Sequence, residues 1–273
     1  SWERLARPQA LSRAFHRHGA ALAGALVLGF ALMFLAIAAL RPASGEGFYA
    51  YLSHGAMVAI FAPAFLLPLY SIALGLKAYW AEVGGAPVRP AHLIRAFRRV
   101  ANMKNLSGGQ GQGCNFEKGD RYSVARKHYH QATLWGFLLC FASTTSGTIL
   151  HYGFDAPAPY GLLSLPKLFG VPGGILLVMG TYGLFKTKLK AAKGLGDGRT
   201  WGADMAFVLL LGFTGLSGLL LWILNGSALV PTLLALHLGA VLTFFLLTPF
   251  SKMAHGFYRT AALVRDAQTA KKA

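Results

Sequence analysis

Six apolar runs, at about 19–40, 57–79, 131–150, 170–186, 203–224 and 229–249, constrain this chain more than any other feature. Each is close to the roughly 20 residues that a helix needs to cross a bilayer core of about 30 Å. In hydrocarbon every backbone N–H and C=O must be paired within its own segment, so an unbroken run of this kind folds as a helix. The fourth run is the shortest, and the charge distribution supports counting it. Of 26 Lys and Arg, four precede the first run, ten lie from Lys77 to Lys127, five from Lys186 to Arg199, and five from Lys252 onward. Only Arg41 and Lys167 fall in the alternate connections. Five or seven crossings would scramble that split. Positive residues mark the cytoplasmic face. The expected fold is therefore an all-α, integral membrane six-helix bundle with both termini cytoplasmic. A basic lead-in, 1–18, precedes a six-span domain, 19–255, which carries a long cytoplasmic loop, 80–129, and a basic tail, 256–273, follows.

Composition agrees, with 55% hydrophobic and only 13% charged residues. A net charge of +17 would suit nucleic acid. However, the basic residues flank apolar runs and do not form a stripe interleaved with aromatics, so membrane lipid is the expected partner and nucleic acid is not. Two cysteines, Cys114 and Cys140, are too few for a cluster held by about four thiolates. No CxxCH motif is present for covalent haem attachment. The nine acids are scattered, and Asp204 alone sits at a span edge. No nucleophile–base or carboxylate pair points to hydrolysis, so no catalytic residue is assigned. Within loop 80–129, "RPAHLIRAFRRVANMKNL" reads as an interfacial basic helix, and the following "SGGQGQGCNF" lacks the GK[ST] of a P-loop. The opening "SWERLARPQALSRAFHRHG" reads as an amphipathic lead-in, or as the cut edge of a longer protein.

The histidines carry the chemistry. "HLGAVLTFFLLTPFSKMAH" bears His237 and His255 eighteen residues apart. On one helix that is five turns, which puts both on the same face with a rise of roughly 27 Å. His130 opens the third span at its basic end, and His151 closes it at the other. By depth, His130 matches His255 and His151 matches His237. Two imidazole pairs at two depths suit two stacked b-type haems, each iron taking one axial ligand from each of two facing helices. Ionisable groups inside a membrane are costly and are functional by default. The plainer reading of His237 is an interhelical hydrogen-bonded imidazole, and that of the others is solvation near an interface. His54 is the alternative partner for the outer haem, and His128 the alternative to His130. His16, His18 and His92 lie in basic surface segments. Arg126 and Arg259 flank the inner pair and suit haem propionates, although ordinary positive-inside charge explains them equally well.

The stretches "ARKHYHQATLWGFLLCFASTTSGTILHY", "PYGLLSLPKLFGVPGG" and "HLGAVLTFFLLTPFSKMAHGFYR" resemble the citrate/tricarballylate utilisation protein B family, from about residue 50 onward. More distantly, the last five spans are similar to the dihaem gamma subunit of respiratory nitrate reductase. The resemblance implies a cytochrome b in the bacterial inner membrane that reoxidises a flavin dehydrogenase. Electrons would pass from FAD through iron–sulfur clusters and haem to quinone. The family's ferredoxin-like cysteine motifs are not found here, so the resemblance places FAD and the clusters on a partner or another domain. The competing class is a small transporter with the histidines as a proton relay. Such transporters usually show inverted repeats or interrupted spans, and neither is evident here.

Overall fold

The structure, a computed structural model, describes residues 2–40, 47–103, 106, 116–117, 121–156, 158–190 and 201–270. Cys114 and most of the glycine-rich stretch lie outside these residues. Six helices are long and apolar enough to cross a membrane. They are α1 (Gln9–Leu40), α2 (His54–Glu82), α4 (Ala125–Gly153), α5 (Leu165–Lys190), α6 (Trp201–Ile223) and α7 (Val230–Leu247). Two shorter helices, α3 (Pro90–Asn102) and α8 (Lys252–Thr269), lie on the basic side. Among the described residues the only strands are a two-residue antiparallel pair, Phe116–Glu117 with Arg121–Tyr122.

The spans agree with the apolar runs in number and order, but the helices run past them. α1 begins within the basic lead-in because that lead-in packs. Phe15 and Ser12 are buried, and a Cβ at Gly19 would fall on the Ala203 backbone of α6. A non-helical His18 marks a kink where the lead-in meets the span. The shortest run becomes the 26-residue α5, with its basic end drawn out to Lys190.

α5 packs along α4 on one side and α6 on the other; α6 and α1 lean on α7, and α2 meets α7 and α8. Glycine sets the α4–α5 distance: a Cβ at Gly136 would land on the backbone nitrogen of Leu177, and one at Gly180 would lie 2.5 Å from that of Thr133. Small residues let membrane helices approach this closely. Towards α2 and α7, α4 reaches across through phenylalanine rings. Phe141 stacks on Phe65 at 6.1 Å, and Phe137 meets Phe244 at 5.6 Å. Phe245 then joins Phe65 and Phe61, at 5.2 and 6.3 Å.

One correction concerns the five-turn helix expected over 237–255. It is divided in two. α7 stops at Leu247, Thr248–Phe250 form one 3-10 turn, and Ser251 is extended (φ −101°, ψ 174°). Pro249 has no N–H to continue an α-helix. The Ser251 hydroxyl accepts from Met253 N–H at 3.3 Å and so starts α8 afresh. His255 therefore rides on α8, not on the spanning helix.

Candidate functional site

The two ends of α4 each meet a second histidine, and they do so differently. At the basic end, the rings of His130 and His255 lie 6.1 Å apart, near perpendicular at 78°. His255 is oriented by its own helix, since its Nδ1 is in hydrogen-bond contact with the Lys252 carbonyl. Nδ1 must carry the proton to donate there, which leaves Nε2 as a lone pair facing outward from that bond. Burial holds the His255 pKa below the ordinary value, opposed in part by its hydrogen bond to the Lys252 carbonyl. A neutral imidazole is the form that binds metal. Nδ1 of His130 is buried without a hydrogen-bond partner.

Charged groups ring this pair. Arg126 and Arg259 lie within electrostatic reach of His130, and both are exposed. Asp204 at the start of α6 accepts from Lys188 of α5 at 2.8 Å and also pairs with Lys252 of α8. Three helix ends are tied together beside His255 by one carboxylate. Asp204 was legible as an isolated acid at a span edge, but its two lysines come from remote positions.

At the opposite end, His151 stacks on His54 with ring centroids 4.1 Å apart and 19° between planes. Tyr152 lies edge-on to His54, its hydroxyl 3.4 Å from Nδ1, and Tyr49 packs against both histidines. His151 Nδ1 is also buried without a hydrogen-bond partner. The structure does not set His237 in this stack. Its Nδ1 lies 3.0 Å from the Ser217 hydroxyl of α6, and its Cε1 would be 3.0 Å from a Cβ on Gly218. The partner that depth alone assigned to His151 thus turns towards α6, and the alternative, His54, occupies the place. Of the remaining histidines, His128 and His18 are exposed. His92 serves the backbone: its Nδ1 accepts from Arg89 N–H at 3.2 Å and caps α3.

Among the described residues, no three His, Cys, Asp or Glu side chains converge as an ion site. Each end instead offers two imidazoles and an orphaned nitrogen. That donor set fits a metal whose remaining ligands come from a macrocycle, as in haem. The basic-end separation also fits, because two metal–nitrogen bonds of about 2 Å plus the two half-rings sum to about 6 Å. The opposite-end rings are closer than that and would have to part.

Comparison with known proteins completes the picture. The family model described as Citrate utilization protein B matches residues 18–273. Citrate utilization protein B of Escherichia coli is 35% identical over 271 residues, covering 97% of this chain and 71% of that relative. No solved structure matches significantly.

Proposed function

The chain belongs to the citrate utilization protein B family, and from that premise we propose that it is a multi-pass dihaem cytochrome b of the bacterial inner membrane, with its basic end in the cytoplasm. It would pass electrons from a flavin and iron–sulfur dehydrogenase acting on citrate or tricarballylate to quinone. The carrying observation is that one helix, α4, meets a second imidazole at each end, His255 at one and His54 at the other.

Haem would supply reversible one-electron chemistry. The chain's own residues supply the rest. His130 and His255 would hold one haem at the cytoplasmic end, and the Lys252 carbonyl keeps His255 in one tautomer. Arg126 and Arg259, within electrostatic reach of His130, would neutralise propionate charge. His151 would hold the other haem at the outer end with His54, with His237 as the competing ligand. Phe65, Phe137, Phe141, Phe244 and Phe245 form a chain of ring contacts linking α4 to α2 and α7 between the two ends. The Asp204 triad fixes where α8 starts, and so where His255 stands.

The test is haem content and spectrum of single alanine variants in the purified full chain. His130→Ala and His255→Ala should each remove the same haem, and His151→Ala the other. If all three keep full haem content, the ligand assignment is wrong.

A further inference from the structure

The basic end holds a groove that the haem reading does not use. One wall of it is α2, which is itself a span, so its level in the membrane follows from that helix. α2 carries no Asp, Glu, Lys or Arg before Lys77. The lead-in runs along the last turns of α2. Arg4 pairs with Glu82, a Cβ at Gly75 would lie 3.3 Å from the Leu5 carbonyl oxygen, and the Arg7 carbonyl accepts from the Ser71 hydroxyl at 2.9 Å. The backbone of Arg7 is thereby fixed at the level of Ser71, about 9 Å along α2 from Lys77 towards the membrane interior.

At that level Arg7, Pro8 and Gln9 form one side of a groove of about 560 Å³, and Tyr70, Ser71 and Leu74 form the other. Tyr70 and Leu74 are 64 and 45% exposed. Lys77 stands on the same face of α2, because the step from Tyr70 to Lys77 is close to two full turns. Arg7 and Lys77 are both exposed, and neither has an ion pair among the described residues. Glu82, the acid at this end of α2, is taken by Arg4. A cation held within the apolar length of a span is costly unless an anion meets it.

We propose that this groove binds an anionic phospholipid, its phosphate between Arg7 and Lys77 and an acyl chain along Tyr70 and Leu74. A guanidinium grips phosphate oxygens through paired N–H donors, and basic pockets among membrane helices take anionic headgroups. Two cations with no spare carboxylate favour a headgroup that brings no cation of its own, which disfavours choline and ethanolamine. The apolar wall favours lipid over a soluble phosphate compound, which would leave Tyr70 and Leu74 uncovered. A bound lipid would brace the lead-in against α2. Neither the site nor its test depends on haem.

The experiment counts lipid retained on the purified full chain by native mass spectrometry, with dioleoyl phosphatidylglycerol and dioleoyl phosphatidylcholine as probes. Wild type should retain phosphatidylglycerol and release phosphatidylcholine. Arg7→Gln with Lys77→Gln should weaken phosphatidylglycerol binding about tenfold or more. Arg7→Lys with Lys77→Arg keeps both charges and should bind much as wild type does, which separates loss of charge from loss of fold. Arg13→Gln with Arg17→Gln removes the same charge from exposed positions of α1 and should have little effect. Equal retention of the two lipids by wild type, undiminished phosphatidylglycerol binding in the Arg7 and Lys77 glutamine pair, or equal loss in both glutamine pairs overturns the proposal. So does displacement of phosphatidylglycerol by excess inorganic phosphate, which would assign the groove to a soluble phosphate compound.

Discussion

Replacing Gly136 by alanine probes how α4 carries both histidine ends. The added Cβ would fall on the Leu177 nitrogen, 2.8 Å from the Gly173 carbonyl oxygen and 2.9 Å from Leu177 Cα. Ordinary contacts lie at about 3.5–4.0 Å, so α4 and α5 would have to part by about an ångström. Overpacking of this kind costs about 1–3 kcal/mol. Backbone, not a rotatable side chain, is in the way on every side, which favours the upper half of that range. Because α5 is the helix α4 packs along, the displacement is carried to His130 and His151 together. The expected result is a lowered Tm for the purified chain and reduced occupancy of both haems in parallel. Gly147→Ala is the control, since its Cβ would meet only Tyr160 and Pro166, at 3.6 and 3.8 Å. The assay is differential scanning fluorimetry with haem absorbance on the same samples. If the two variants behave alike, the close α4–α5 approach does not set the histidine positions.

Other expectations follow from the same geometry. His54→Ala and His237→Ala separate the two candidates for the outer partner: loss of the outer haem in His54→Ala alone supports the stacked pair, and loss in His237→Ala alone supports the depth-matched pair, each read by haem content per chain. Asp204→Asn leaves Lys188 and Lys252 facing each other uncompensated, which should cost on the order of 2 kcal/mol at this partly screened site, measured as Tm against salt. The depressed pKa of His255 gives a pH dependence. Its folded state binds fewer protons than the unfolded chain, so its contribution is present above the ordinary histidine value of about 6.5 and is lost as pH falls from there towards the lowered value. Haem retention at the cytoplasmic end should decline over that window, and a pH titration of the absorbance of that haem checks it.

Much of the fold was legible because a bilayer imposes one element at one length. The six runs named the six spans, and the Lys/Arg split separated the two ends. The lead-in was harder, since nothing local says that Phe15 packs into the bundle or that Gly19 lies on Ala203. The break after α7 had local signals in Pro249 and Ser251, but the same-face spacing of His237 and His255 masked them. His130 and His255 still meet, because depth along the helices survives the break. Depth does not fix which helices are lateral neighbours, and for that reason His54 and not His237 stacks on His151. The packing of α3 on α8 depends on pairings such as Arg99 with Asp266, far apart in sequence and invisible to any local pattern.

The central claim is tested most directly by a reduced-minus-oxidised visible spectrum of the purified full chain from haem-replete cells, with pyridine haemochrome quantification. Sharp low-spin b-type bands and two haems per chain are expected. Protein free of haem under those conditions would contradict the electron-transfer account.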